Sequence, residues 1–253
     1  MTFDKTRRTL FYVGGLTDLA GQTIRQTFRR PFPVELLMVQ FDEIGVRSLS
    51  IVAVTSFFIG MVLALQATYS LSSFGADIFV GPMVALSLVR ELGPVLMALM
   101  VGGRVGAGMT AEIGTMKVTE QIDALRALAA NPVRKLVVPK VVATTLMLPT
   151  LTLVSIALGT IGGMVIAVLT VGMTPHFYWR SVVTALNFRD FSSGIGKTFF
   201  FGFAIALIAC FNGLSTSGGA DGVGRATTTT VVMASISILI MDFFLTKLFF
   251  LIT

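Results

Sequence analysis

The chain has 253 residues, of which 54% are hydrophobic and 13% charged, and its mean hydropathy is +0.86. A soluble domain is normally about 25% charged, so the composition excludes one and specifies a polytopic membrane protein. Nineteen lysines and arginines against 13 acids leave a net charge of +6, which beside apolar spans reflects topology and anionic headgroups rather than nucleic acid.

Residues 1–30 lack the compact apolar core of a cleavable signal. The row Tyr12, Leu16, Ala20, Ile24, Phe28 recurs every four residues among Lys5, Arg7, Arg8, Arg25, Arg29 and Arg30, which predicts a helix over 1–33 lying in the cytoplasmic interface. Pro31 and Pro33 should end it.

The uncharged run between Arg47 and Asp77 exceeds the roughly 20 residues that a span needs, so the first transmembrane helix is placed at 48–70. Gln66 and Tyr69 near its end are polar groups that should face protein, water or substrate. The second span, 79–103, is apolar except for Arg90 and Glu91, roughly 16 to 18 Å along it. Charges at that depth need partners or a wet cavity. The chain then turns Gly-rich at Gly102, Gly103, Gly106 and Gly108, positions suited to close helix packing. A polar segment follows, with Val118, Ile122, Leu125 and Ala129 on one stripe, so a short helix over 112–130 should lie along the membrane face until Asn131-Pro132 stops it.

The third span is placed at 141–170, bent near Pro149, with Gly159, Gly162 and Gly163 as packing positions. Residues 172–197 read as a loop whose Phe177, Tyr178 and Trp179 fit an interfacial aromatic belt. The fourth and fifth spans fall at 198–215 and 226–250. Asp242 and Lys247 in the fifth are five apart and should find different partners. Fourteen of the 19 basic residues lie in 1–47, 104–140 and 221–225, and three lie in 171–197. That bias predicts a cytoplasmic N-terminus and an outer C-terminus. The whole is one all-α integral membrane domain, 1–253.

Catalytic signatures are weak. Gly194-Ile-Gly-Lys-Thr198 resembles the tail of a phosphate loop, but Phe191 stands where the pattern needs glycine and no strand precedes it. One cysteine, Cys210, and one histidine, His176, supply neither a disulfide framework nor a metal cluster. No nucleophile and base can be drawn together, so no catalytic residue, no metal and no cofactor is assigned to this chain. A greasy cavity with Gln66, Tyr69, Arg90, Glu91 and Lys197 near one end, and Leu63 and Leu71 along acyl chains, would suit an amphipathic lipid whose phosphate meets Arg90 or Lys197. The alternative is an ion-coupled secondary carrier or an intramembrane lipid-modifying enzyme using Arg90, Glu91 and Asp242.

RELGPV at 90–95, GRVGA at 103–107, AEIGTMKVTEQIDAL at 111–125, NPVR at 131–134 and SGGADGVGRATT at 217–228 closely resemble the MlaE-type permeases of ABC transporters, from about residue 35 onward. Ala129 departs from the glycine expected there. The resemblance implies a homodimer of five-span subunits in a bacterial inner membrane, carrying phospholipid between that membrane and a periplasmic MCE-domain partner. It also implies a separate cytoplasmic ATPase that binds ATP and magnesium. The polar segment would be the coupling helix, with Glu112, Gly114, Thr115, Met116, Thr119, Glu120, Gln121 and Asp123 against the ATPase.

Overall fold

The computed structural model describes residues 2–29 and 34–252, with side chains from Leu10 to Arg29 and from Val34 to Leu251. Pro31 and Pro33 lie outside the described residues, as do Arg30 and the side chains of Lys5, Arg7 and Arg8. Among the described residues the secondary structure is helical, in the order α1 (Thr2–Thr27), α2 (Val34–Ser72), α3 (Asp77–Val118), α4 (Gln121–Ala127), α5 (Val133–Val171), α6 (Pro175–Ala185), α7 (Phe188–Leu214) and α8 (Gly219–Ile252). Five of these, α2, α3, α5, α7 and α8, are long and apolar enough to cross a membrane.

The helices overrun the expected spans, because hydropathy reads the hydrocarbon crossing and not the length of the helix that makes it. Span one begins at Val34 rather than 48, through a tight turn at Val46–Ser48. Span two does not stop at 103 but continues to Val118 through two π-helical turns, Leu88–Leu92 and Gly102–Gly106. Span three begins at Val133 and runs through Pro149 without a break in the helix. Span four begins at Phe188, not 198, and span five at Gly219.

The expected rod over 112–130 is instead two pieces. The end of α3 and the short α4 meet at Glu120, whose φ is +60°. Ile122 is buried and Leu125 half-buried, but Ala129 is exposed, so the stripe holds only within α4. Ala129 itself closes α4 at φ +55°, the left-handed conformation that costs a residue with a Cβ about 1 kcal/mol and glycine nothing. Ala129→Gly is therefore expected to stabilise the protein by about that amount, less the entropy that glycine adds to the unfolded chain, read as a small rise in the melting temperature in detergent.

Contacts divide the chain into two compact units, one drawn from the segments up to Ile44, Leu99–Leu146 and Phe201–Ile238, the other from Gly45–Ala98, Met147–Phe200 and the segment from Leu239 on. In the first unit α1 packs by Tyr12, Leu16, Leu19 and Thr23, whereas Ile24 and Phe28 are exposed. A four-residue step advances about 40° around a helix, so Tyr12 and Phe28 stand about 160° apart and cannot share a face. Tyr12 anchors the helix: its ring meets Phe211 edge-on and its hydroxyl donates to Asn212 Oδ1 at 3.1 Å. The Asn212 amide donates to Thr230 Oγ1 at 2.9 Å, and Thr230 and Thr110 share a hydrogen bond of 2.8 Å. Tyr12, Asn212, Thr230 and Thr110 are thus satisfied by one another. Gly102 and Gly106 face Ile205 across van der Waals distance, while Gly103 and Gly108 face open space.

The second unit is organised by close backbone approach. Ser56, Gly60 and Ala64 form a buried ridge on α2, and Ser155, Gly159 and Gly163 a ridge on α5. Ser56 donates to Ser155 Oγ at 2.8 Å. A Cβ at Gly60 would overlap the Gly159 carbonyl, and one at Gly162 the Phe57 carbonyl. Small residues four apart are what let two apolar helices touch this closely. The expected loop at 172–197 holds α6, capped by Thr174, whose hydroxyl accepts from the Phe177 N–H, with Pro175 at the first position. Its aromatics divide: Phe177 and Trp179 are exposed, as a belt requires, but Tyr178 is fully buried against Gly81 and Gly163.

Candidate functional site

The site lies wholly within the second unit and starts from a proline. Pro94 has no N–H to give the carbonyls behind it, and the helix meets the deficit with the π-helical turn Leu88–Leu92, in which the Gly93 N–H reaches back to the Leu88 carbonyl. Gly194 on α7 comes against the Val89 carbonyl so closely that a Cβ there would overlap it. This brings α7 to the two charges that follow, Arg90 and Glu91.

Both are paired. Arg90 Nε donates to Asp190 Oδ1 at 2.7 Å, and the other Asp190 oxygen accepts from the Asn187 N–H at 2.9 Å, capping the first turn of α7. Lys197, 1% exposed, gives its three protons to Glu91 Oε2 at 2.7 Å, Asp242 Oδ1 at 2.9 Å and Thr246 Oγ1 at 2.9 Å. An ammonium has three donors and no more, so Lys197 has nothing left for a headgroup and instead ties α3, α7 and α8 together. It also stands inside α7, not in the loop expected over 172–197, because the helix starts ten residues before the span expected from hydropathy. Of the two partners expected for Asp242 and Lys247, the structure supplies one: Asp242 goes to Lys197, and Lys247 has no partner among the described residues.

Beside this network is a cavity of about 610 Å³, lined among others by Arg90, Glu91, Ser193, Phe188, Phe249 and Phe250. The Arg90 side chain stays 43% exposed, so its terminal nitrogens remain available to an anion. Charge at one wall and phenyl rings at another make the cavity amphipathic, with a volume inside the usual range of roughly 300–1,000 Å³ for small-ligand sites.

Leu63, Gln66 and Tyr69 do not join it. Leu63 and Leu71 are half-buried against the core around Val84 and Tyr178, Gln66 is exposed, and Tyr69 is 89% exposed at the far end of α2. Asp190, Asn187, Thr246, Phe249 and Phe250 complete the cavity or its network and were not singled out from sequence. Asn187-x-x-Asp190 is a helix-start signal that would have moved the boundary of α7; the α8 residues carry no local signal, since their partners are distant in sequence.

The expected coupling residues separate into two sets in the first unit. Thr115, Thr119, Glu120, Gln121 and Asp123 are exposed and Met116 is half-buried. Lys117, hydrogen-bonded to Asp123 at 3.0 Å, and Arg126 beside it hold the Asp123 carboxyl below its usual range. Gly114 instead packs against Thr216 and Val223, and Glu112 is tied at 2.6 Å to Lys140, which is 3% exposed and also donates to Gln40 Oε1 at 3.3 Å. Glu112→Ala should therefore destabilise by about 3 kcal/mol, the lower end of the cost of stranding a buried charge, while Glu120→Ala stays within about 0.5 kcal/mol, as surface changes do. Thermal unfolding of the two purified variants in detergent separates them; equal midpoints would remove the structural role of Glu112.

Comparison with known proteins agrees with this architecture. A family model described as "Permease MlaE" matches residues 37–248. The chain is 43% identical over 246 residues to a probable ABC transporter permease protein of Rickettsia bellii, covering 97% of this chain and 95% of that one. It is 44% identical over 232 residues to a probable ABC transporter permease protein of Synechocystis, covering 92% and 88%. It is 41% identical over 223 residues to the intermembrane phospholipid transport system permease protein MlaE of Haemophilus influenzae, covering 88% and 85%. With five apolar helices of spanning length and a match over most of its length, the chain belongs to the MlaE permease family.

Proposed function

We propose that this chain is the membrane permease of an ABC transporter that moves phospholipids or similar amphipathic lipids between a bacterial inner membrane and a periplasmic MCE-domain partner. The observation that carries it is the cavity at Arg90: a guanidinium with free nitrogens on one wall, phenyl rings of Phe188, Phe249 and Phe250 on another, all on membrane-length helices. Phosphate and acyl chain ask for those two chemistries side by side.

In this reading the energy comes from ATP and magnesium held by a separate cytoplasmic ATPase, which seats on Thr115, Thr119, Glu120 and Gln121. A homodimer is the expected assembly, with the N-terminus cytoplasmic and the C-terminus periplasmic. The test is reconstitution with the ATPase in proteoliposomes: Arg90→Ala should lower ATP-dependent transfer of labelled phospholipid to an acceptor at least tenfold, and Glu120→Lys should abolish the coupling of hydrolysis to transfer. Cysteines introduced at Thr119 or Gln121 should react only from the cytoplasmic side; labelling from outside would invert the topology.

A buried lysine between two carboxylates is also an arrangement that suits an ion-coupled carrier. Transfer by the permease alone, driven by an ion gradient without ATPase, would favour that reading instead.

A further inference from the structure

A second, shallower cleft of about 450 Å³ lies on α8, lined by Glu91, Asp242, Thr246, Lys247 and the apolar Phe243 and Phe250. Glu91, Thr246 and Phe250 also line the Arg90 cavity, so the two share a wall. Lys247 is exposed and forms no hydrogen bond or ion pair among the described residues, although two carboxylates line the same cleft. Those carboxylates are not used up. Lys197 occupies Oδ1 of Asp242 and Oε2 of Glu91, which leaves Asp242 Oδ2 with no donor among the described residues and Glu91 Oε1 with only the Thr246 hydroxyl, at 3.2 Å.

The cleft therefore offers an unengaged cation and free carboxylate oxygens within one amphipathic surface. With Lys197, which bonds both carboxylates from behind the cleft, the lining charges Glu91, Asp242 and Lys247 sum to zero. In a low-dielectric setting, adding a net charge beside a neutral cluster is costly, whereas a zwitterion adds none and can meet both signs at once. Resting on the lipid-transport reading above, we infer that this cleft selects a zwitterionic phospholipid headgroup with a primary ammonium. Its phosphodiester, passed from Arg90 across the wall that the two clefts share, lies on Lys247 and its ammonium on the free oxygens of Asp242 and Glu91. The phenyl rings of Phe243 and Phe250 hold the first methylenes of its chains. A primary ammonium donates hydrogen bonds to those oxygens; a quaternary one cannot, and an anionic headgroup places a second negative charge against them.

The transporter, purified in detergent with its ATPase, is incubated with an equimolar mixture of phosphatidylethanolamine, phosphatidylcholine and phosphatidylglycerol, and the retained lipids are measured by mass spectrometry. The wild type should retain the ethanolamine lipid about tenfold over the glycerol lipid, with the choline lipid between them, the scale of one charge-assisted hydrogen bond. Asp242→Asn should erase that preference, because the ammonium loses a charged acceptor, whereas Lys247→Gln should lower retention of all three lipids by a common factor and Lys247→Arg keep it; Lys247 is exposed, so neither change at that position disturbs the core. Glycerophosphoethanolamine without acyl chains should compete only weakly. Equal retention of the three lipids by the wild type, an unchanged ratio in Asp242→Asn, or unchanged total retention in Lys247→Gln overturns the headgroup assignment alone, provided that lipid is retained and lost in Arg90→Ala. No lipid retained by the wild type overturns the lipid reading together with it.

Discussion

Lys197→Met is expected to destabilise the protein by about 3 kcal/mol and to abolish transport. Lys197 is the sole described cation on both Glu91 and Asp242, and its removal strands two carboxylates on membrane-spanning helices. Breaking a buried ion pair by deleting one partner costs roughly 3–5 kcal/mol; the lower figure applies because the Glu91 side chain keeps 41% of its exposure on the cavity side, where water can reach it. The same argument predicts a rescue. Lys197→Met combined with Glu91→Gln and Asp242→Asn leaves no charge to strand, and should recover most of the lost stability while transport stays absent, because Glu91 no longer offers a charge to the cavity that it lines. Thermal unfolding in detergent reads the stability, and lipid transfer with the ATPase reads the activity. A triple variant no more stable than Lys197→Met would show that the lysine holds the helices by packing and not by charge.

That network shows how the sequence informed on the site and where it stopped. Arg90, Glu91 and Lys197 stood out because ionisable groups in apolar helices are rare and expensive, and all three are at the site. Their roles were not legible, since a role depends on which side chain faces which. Lys197 read as a headgroup contact until three acceptors within 2.9 Å accounted for its protons. Gln66 and Tyr69 were placed by nearness to a helix end and Leu63 by its apolar side chain, and since neither says anything about azimuth, none of the three lines the Arg90 cavity. The five spans were legible because a run of about 20 apolar residues matches the thickness of a bilayer and little else in a protein requires one. Their ends were not, because Asn187 and Asp190 begin a helix by capping chemistry that hydropathy ignores. The single rod over 112–130 failed on one residue, Glu120, whose positive φ has no marker in its side chain.

The glycines give the second large effect, and they separate two readings of the same residue. Gly162→Val is expected to cost about 3 kcal/mol, the upper part of the range for overpacking, and to cut sharply the yield of folded permease. The added carbon would overlap the Phe57 carbonyl. A carbonyl in a helix cannot swing aside as a side chain can, so α2 and α5 must separate. Separation in turn weakens the Ser56–Ser155 hydrogen bond and the contact of Gly60 with Gly159, so the penalty spreads along both ridges. Gly108→Ala, within a stretch equally rich in glycine, should do the opposite. Nothing lies within 4 Å of the carbon it would gain, and replacing a helical glycine by alanine is worth roughly 0.5–1 kcal/mol. Yield and melting temperature of the two variants, purified side by side, decide the matter. If Gly162→Val melts with the wild type, the two ridges are not in contact and the packing described for the second unit is wrong. If Gly108→Ala instead is the damaging change, its open face is covered in the membrane by something that α3 meets only in the assembled transporter.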